Sequence, residues 1–222
     1  MRTTLAFDVY GTLIDPLGIT RALEDLVGEA ATSFAGLWRD KQIEYLFRRG
    51  LGRTYAPFSV CTRQALDYTC HAIGQAIDDD DRAMLMRRYR ELPAFPETRG
   101  ALAALRKDGF RNVAFSNGEP EQLAAVLGNA GLTEVLDGVI SVREVQSYKP
   151  DPAVYAYFLE NTGAMLGYTW LVSGNPFDVI GALEVGWKAA WVRRNPGQLF
   201  DPWGIEPTAI VSDIAGLSEV LD

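Results

Sequence analysis

Two cysteines, a single histidine and no long apolar stretch set the first limits on this sequence of 222 residues. Cys61 and Cys70 fall in one helical-looking stretch without metal-ligand spacing, so they read as reduced core thiols of a cytoplasmic protein. His71, the only histidine, stands beside Cys70. Ser-His-Asp and Cys-His hydrolases need an imidazole at the nucleophile, so those classes are disfavoured and His71 reads as structural. No apolar run approaches the roughly 20 residues that span a bilayer, and the first residues lack a basic-then-apolar leader pattern. Basic runs interleaved with aromatics are missing as well. Lys and Arg number 21 against 29 Asp and Glu, a formal charge of -8, which disfavours nucleic acid and anionic membrane as partners. Internal repeats and low-complexity tracts do not occur.

What is present fits a globular chain, 48% hydrophobic and 23% charged, long enough to bury a real core. The stretch Thr3-Thr4-Leu5-Ala6-Phe7 leans towards strand, ends at Asp8 and breaks at Gly11 and Thr12, so Asp8 projects from a strand's C-terminal end. From Gly18 to about Leu92 the pattern is helical. Leu37, Trp38, Ile43, Tyr45 and Leu46 recur at helix-compatible spacing, and Arg39, Ile43 and Leu46 share a face. Asp78 to Asp81 form an acidic helix start. Turn formers flank this segment, at Asp15-Pro16-Leu17-Gly18 and at Leu92-Pro93-Ala94-Phe95-Pro96. Its charge is balanced, with 11 residues of each sign between 16 and 95, while the rest of the chain carries the acidic excess. A division into residues 1–15 with 96–222, and an inserted helical segment 16–95, follows.

After Glu97 helices and strands alternate. Helices are expected over Thr98–Asp108, Glu119–Asn129, Asp151–Asn161 and Val179–Val185, with a closing helix at the end. Strands are expected over Arg111–Phe115, Val139–Val142, Thr169–Val172, Ala189–Val192 and Ala209–Val211. This alternation predicts an α/β fold, a doubly wound, Rossmann-like parallel sheet covered on both faces. Polar residues gather after successive strands: Asp8, then Ser116 and Asn117, then Ser173, Asn175 and Asp178. In such a sheet those ends share one edge, so these residues converge, and Lys149, in a loop before a helix, is placed to join them.

The stretches FDVYGTLID, FSNG, YKPD followed by VY, and VSGNPFD leading into GA resemble the four motifs of the haloacid dehalogenase superfamily. The segment LWRDKQIEY resembles the helical cap of its L-2-haloacid dehalogenase branch. Superfamily phosphatases carry a second aspartate two residues after the nucleophile and another acid four residues before the last aspartate. Here those positions are Tyr10 and Gly174, so a site for a hard divalent cation has lost carboxylate oxygens. The resemblance therefore implies a metal-free hydrolase without cofactor, acting on short L-2-haloalkanoic acids and water. Asp8 would be the nucleophile and form an aspartyl ester. Lys149 would keep Asp8 ionised, and Asp178, with Ser173 and Asn175 as orienting neighbours, would handle the hydrolytic water and anchor Lys149. Thr12 and Ser116 would bond Asp8 or the substrate carboxylate. Arg39, with Asn117, would stabilise the halide, and Tyr10, Ile43, Phe58 and Phe177 would wall the pocket. Relatives are often homodimers, and the resemblance extends to that state.

Each residue also has an ordinary explanation. Arg39 could be an exposed helix arginine paired with Glu44 or Asp40, and Ser116 to Gly118 could be a cap and turn. Lys149 could be a solvated loop lysine, Asp178 a first-turn helix charge, and Tyr155 a core residue or a hydroxyl bonded to Lys149 or Asp8. Trp170, Trp187 and Trp191 read as core. Two other functions stay open at this point: a Mg²⁺-dependent phosphatase or phosphonatase that tolerates Tyr10, and a binding protein without catalysis. The resemblance departs from its pattern at Asp40, beside the cap arginine, and at Phe177, where tryptophan is common; both bear on substrate preference.

Overall fold

Six short strands rich in apolar and β-branched residues assemble into one sheet in the computed structural model, which describes residues 2–221. They are β1 (Thr4–Phe7), β2 (Arg111–Ser116), β3 (Gly138–Ser141), β4 (Thr169–Ser173), β5 (Lys188–Val192) and β6 (Ala209–Val211). Their order is β3-β2-β1-β4-β5-β6, and every neighbouring pair is parallel. Every residue of β1 and β4 is buried, as both-face helix cover requires. Winding runs outwards from β1 through β2 to β3, then returns past β1 to β4. Right-handed crossovers in opposite directions place the two sets of helices on opposite faces and open a crevice at the carboxyl ends of β1 and β4.

The crossover helices are α5 (Thr98–Lys107), α6 (Pro120–Asn129), α7 (Pro152–Thr162) and α8 (Pro176–Glu184). Three of the four begin with proline, whose fixed φ and missing N–H suit the first helical position. Trp170, Trp187 and Trp191 are buried, as expected. Most element ends shift by one residue from expectation, and α8 starts three residues earlier, at Pro176. Val142 leaves the third strand for a 3-10 turn, its Ser141 side chain capping Arg143 N–H, and the closing helix is a 3-10 segment, Ile214–Glu219, capped by Asp213.

Between β1 and α5 the chain makes a 3-10 turn (Pro16–Ile19) and four helices, α1 (Thr20–Val27), α2 (Ala31–Leu51), α3 (Phe58–Ile73) and α4 (Asp79–Arg88). Asp78 caps α4 by accepting from Asp81 N–H, and acidic residues fill its first turn. Gly74, at φ +73°, closes α3. The segment leaves and rejoins the sheet side by side. Ile14 pairs antiparallel with Ala94, Asp15 N–H donates to Pro93 O at 2.9 Å, and Phe95 N–H donates to Leu13 O at 3.1 Å. Helix α2 packs mainly on α3, where Trp38 Nε1 donates to Thr62 O at 2.9 Å. Cys61 and Cys70 are buried free thiols in α3. His71 is exposed and its Nδ1 lies 2.7 Å from Asp67 O within the same helix, away from the sheet's polar edge.

Candidate active site

Asp8 extends β1 by one residue, its N–H donating to Val172 O at 3.0 Å. The chain then reverses through Gly11 at φ +95°, a conformation glycine adopts without steric cost. Leu13 and Ile14 N–H return to Val9 O, and the reversal brings the Thr12 hydroxyl beneath the carboxylate. Thr12 Oγ1 donates to Asp8 Oδ2 at 3.0 Å and accepts from Gly174 N–H at 2.9 Å. Asn175 Nδ2 donates to the same Oδ2 at 2.7 Å and to Tyr10 O at 3.1 Å. The other oxygen, Oδ1, accepts from Lys149 Nζ at a longer 3.3 Å.

Lys149 is only 1% exposed, so its charge needs full compensation. Its ammonium donates to Asp8 Oδ1, to Asp178 Oδ2 at 2.8 Å and to Phe115 O at 2.8 Å, three acceptors for three protons. Asn117 Oδ1 accepts from Lys149 N–H at 3.0 Å and fixes the loop. Asp178 is fully buried at the start of α8. Burial pushes its carboxyl above the ordinary value, while the neighbouring Lys149 charge opposes that shift. Tyr155 donates to Asp178 Oδ1 at 2.8 Å. Burial, with the Asp178 charge beside it, pushes the Tyr155 hydroxyl well above its usual range, so it remains a donor.

Most residues expected from the sequence meet here; the contacts of Ser173, Tyr155 and Asn175 differ from expectation, and Ser116 lacks one of the two partners expected of it. Ser173 Oγ accepts from Asn175 N–H at 3.1 Å, so it orients Asn175 and not Asp178. Ser116 Oγ accepts from Gly118 N–H at 3.1 Å and makes no bond to Asp8. Both serines sit where a strand turns into a helix, and a hydroxyl there satisfies the nearest free N–H. Tyr155 bonds Asp178 instead of Lys149 or Asp8. Asn175, expected to orient Asp178, reaches the Asp8 carboxylate directly.

The helical segment supplies the opposite wall. Arg39, Ile43, Leu46 and Phe47 of α2, with Phe58 of α3, face Tyr10, Ser116, Asn117 and Phe177. Tyr10 stacks on Phe58 with ring centroids 5.2 Å apart, and Phe47 meets Phe177 edge-on at 4.9 Å. Arg39 pairs with neither Glu44 nor Asp40: Glu44 is taken by Lys41 and Arg48, and Asp40 points to solvent. The enclosed space is only about 20 Å³, room for roughly one water. A larger cavity of about 560 Å³, lined by residues including Ala22, Met84 and Leu92, contains none of these polar groups. The chemistry therefore selects the smaller space. Phe47 was missed from the sequence although it lies eight residues after Arg39, the spacing that returns to the same helix face.

A hard divalent cation does not fit this carboxylate. Three donors already surround it: the Lys149 ammonium, the Thr12 hydroxyl and the Asn175 amide. A side chain at position 174 would start in collision with Gly11 O, so no second carboxylate could be built there without moving backbone. Among the described residues, no group of three His, Cys, Asp or Glu could hold a metal ion. No helix among them is long and apolar enough to cross a membrane.

Comparison with known proteins bears on this arrangement. The family model for haloacid dehalogenase-like hydrolases matches residues 3–186. Haloacetate dehalogenase H-2 of Moraxella sp. (strain B) is 37% identical over 203 residues, 91% of this chain and 90% of that protein. The (S)-2-haloacid dehalogenase of Pseudomonas sp. (strain YL) is 33% identical over 218 residues, 98% of this chain and 94% of that one. Among solved structures, L-2-haloacid dehalogenase from Xanthobacter autotrophicus with chloropropionic acid covalently bound superposes with a TM-score of 0.93 at 30% identity, covering 100% of this chain and 98% of the other.

Proposed function

Because the chain belongs to the haloacid dehalogenase-like hydrolase family, we propose that it hydrolyses the carbon–halogen bond of short L-2-haloalkanoic acids, giving 2-hydroxy acids with inversion. The observation that carries this reading is the setting of Asp8: a carboxylate 7% exposed at a closed cleft, with one oxygen held by two hydrogen bonds and the other by the Lys149 ammonium alone. An oxygen that gives up its lone pairs to two hydrogen bonds is a poorer nucleophile, so Oδ1 attacks C2. The C–X electron pair leaves with the halide, and an ester joins Oδ1 to C2. Water then adds to the Asp8 carboxyl carbon and one of its protons passes to the buried carboxylate of Asp178; the bond between that carbon and the ester oxygen breaks, the water oxygen stays on Asp8, and the departing oxygen takes the proton back from Asp178 to leave as the product's hydroxyl. Burial raises the proton affinity of Asp178, which suits it to that task.

Residues 16–95 act as a cap over residues 1–15 and 96–222. Arg39 and Asn117 receive the halide, while Tyr10, Ile43, Phe58 and Phe177 exclude water. Charge on the halogen develops only as the bond breaks, so a cation aimed there favours the transition state over the bound substrate. Thr12 and Asn175 hold the carboxylate, Ser173 holds Asn175, and Tyr155 holds Asp178. Ser116 lines the cleft where a substrate carboxylate would lie. The buried free thiols suit a reducing cytoplasm, and the homodimeric state extends the resemblance to relatives.

The test is halide release from L- and D-2-chloropropionate, assayed separately with chelator-treated protein, beside a phosphate ester with added Mg²⁺. Halide from the L-acid alone is expected; Mg²⁺-dependent phosphate release without halide would sink the reading.

A further inference from the structure

Among the described residues, only uncharged oxygens hold Arg39. Its Nη1 donates to Gln42 Oε1 at 2.7 Å and its Nη2 donates to the backbone carbonyl of Tyr10 at 3.0 Å. Gln42 is wholly buried one helical turn further along α2, and its orientation is fixed by its neighbours. Thr62 Oγ1 spends its proton on Phe58 O at 2.8 Å, so it accepts from Gln42 Nε2 at 2.5 Å. The amide oxygen is thereby turned towards Arg39. Tyr89, whose hydroxyl burial keeps protonated, donates to that oxygen at 2.9 Å. Every polar atom of the Gln42 side chain therefore has a partner, and an amide flip would set N–H groups against N–H and O–H donors.

A buried carboxylate in place of this amide would hold the guanidinium as firmly but cancel much of its charge. We propose that Gln42 is a positioning residue for halide departure, aiming Arg39 into the cleft through a neutral acceptor and so leaving its positive charge free for the departing halide. This rests on the dehalogenase reading above. It also gives a reason for a glutamine at this buried position, where Glu44, nearer the surface of the same helix, is free to pair with Lys41 and Arg48.

Two variants test it, Gln42→Glu, with the same shape and an added charge, and Gln42→Met, of similar length without an acceptor. Each is first shown to be folded by circular dichroism. Halide release is then followed in a single turnover, which isolates ester formation, with L-2-chloropropionate and L-2-bromopropionate. Gln42→Glu is expected to slow chloride release by roughly tenfold or more and bromide release by less, because the poorer leaving group depends more on the cation. KM should change little. Gln42→Met should slow both, by roughly a hundredfold for a misdirected guanidinium. Unchanged single-turnover rates in folded Gln42→Glu protein, or slowing without a change in the chloride-to-bromide ratio, would overturn the proposal alone. No halide release by the unaltered protein would overturn it together with the dehalogenase reading.

Discussion

Asp8, Lys149 and Asp178 form a charge set in which two carboxylates share one buried ammonium. Asp8→Asn should abolish halide release while leaving the fold intact, measured on protein whose mass confirms that asparagine has not deamidated. Arg39→Ala should cost roughly 3 to 4 kcal/mol in the barrier to ester formation, by analogy with removing a donor to developing negative charge, read as the fall in single-turnover rate. Lys149→Met leaves Asp178 buried without its counter-charge and should lower stability by about 3 to 5 kcal/mol at pH 7. The sign of its pH dependence follows from burial. A carboxyl whose folded value lies above its unfolded value takes up a proton on folding in the window between the two. Stability lost in Lys149→Met should therefore be partly regained as pH falls through that window, in urea titrations at neutral and mildly acidic pH. These residues were legible because the rule that strand ends converge needs only the position of each strand. The bonds of Ser173, Ser116 and Tyr155 were not, since a hydroxyl takes whichever partner the fold brings nearest, a neighbouring N–H for the serines and the Asp178 carboxylate for Tyr155.

Helix α2 shows the same division one level up. Its apolar spacing revealed a helix, and the shared face of Arg39, Ile43 and Leu46 does line the cleft. Its 21 residues nevertheless bury two faces, one on α3 and one on the cleft, and no single periodic stripe separates them. That is why Gln42 and Phe47 escaped notice: a buried glutamine in a helix looks like surface until its partners, Thr62 on α3 and Tyr89 just past the end of α4, are known. Phe47 and Phe177 close the mouth of the cleft edge to face. Phe177→Ala should raise kcat/KM for L-2-chlorobutyrate relative to L-2-chloropropionate, the added methylene being worth roughly 1 to 3 kcal/mol in an apolar pocket. An unchanged ratio would mean that the alkyl group lies against another wall.

Over the whole molecule, the parallel, doubly wound sheet followed from alternating helices and strands, whereas its strand order and the tightness of the cleft did not, because sequence periodicity carries no distances between elements. Links that tie the helical segment across to the sheet edge include Arg39 to Tyr10 O, Ser59 N–H to Glu119, Tyr148 hydroxyl to Ala56 O, Phe58 stacked on Tyr10, and Phe47 against Phe177. With space for about one water in the free cleft, these links are expected to loosen as a haloacid enters. Amide protons of Asp15 and Phe95, where the connecting strands pair, should exchange faster in free Asp8→Asn protein than in the same protein saturated with L-2-chloropropionate. Equal rates would mean that substrate arrives without such a rearrangement. That pairing of Ile14 with Ala94 has a consequence for descent as well as for motion. Because the chain departs and returns through segments paired side by side, the sheet registers everything between them as a single long hairpin loop. Such a loop can be lengthened, shortened or exchanged over generations without disturbing the register of β1 against β2 and β4. Selection can thus remodel the roof over the nucleophile, and with it the range of acids admitted, while the floor that carries Asp8, Lys149 and Asp178 stays as it is.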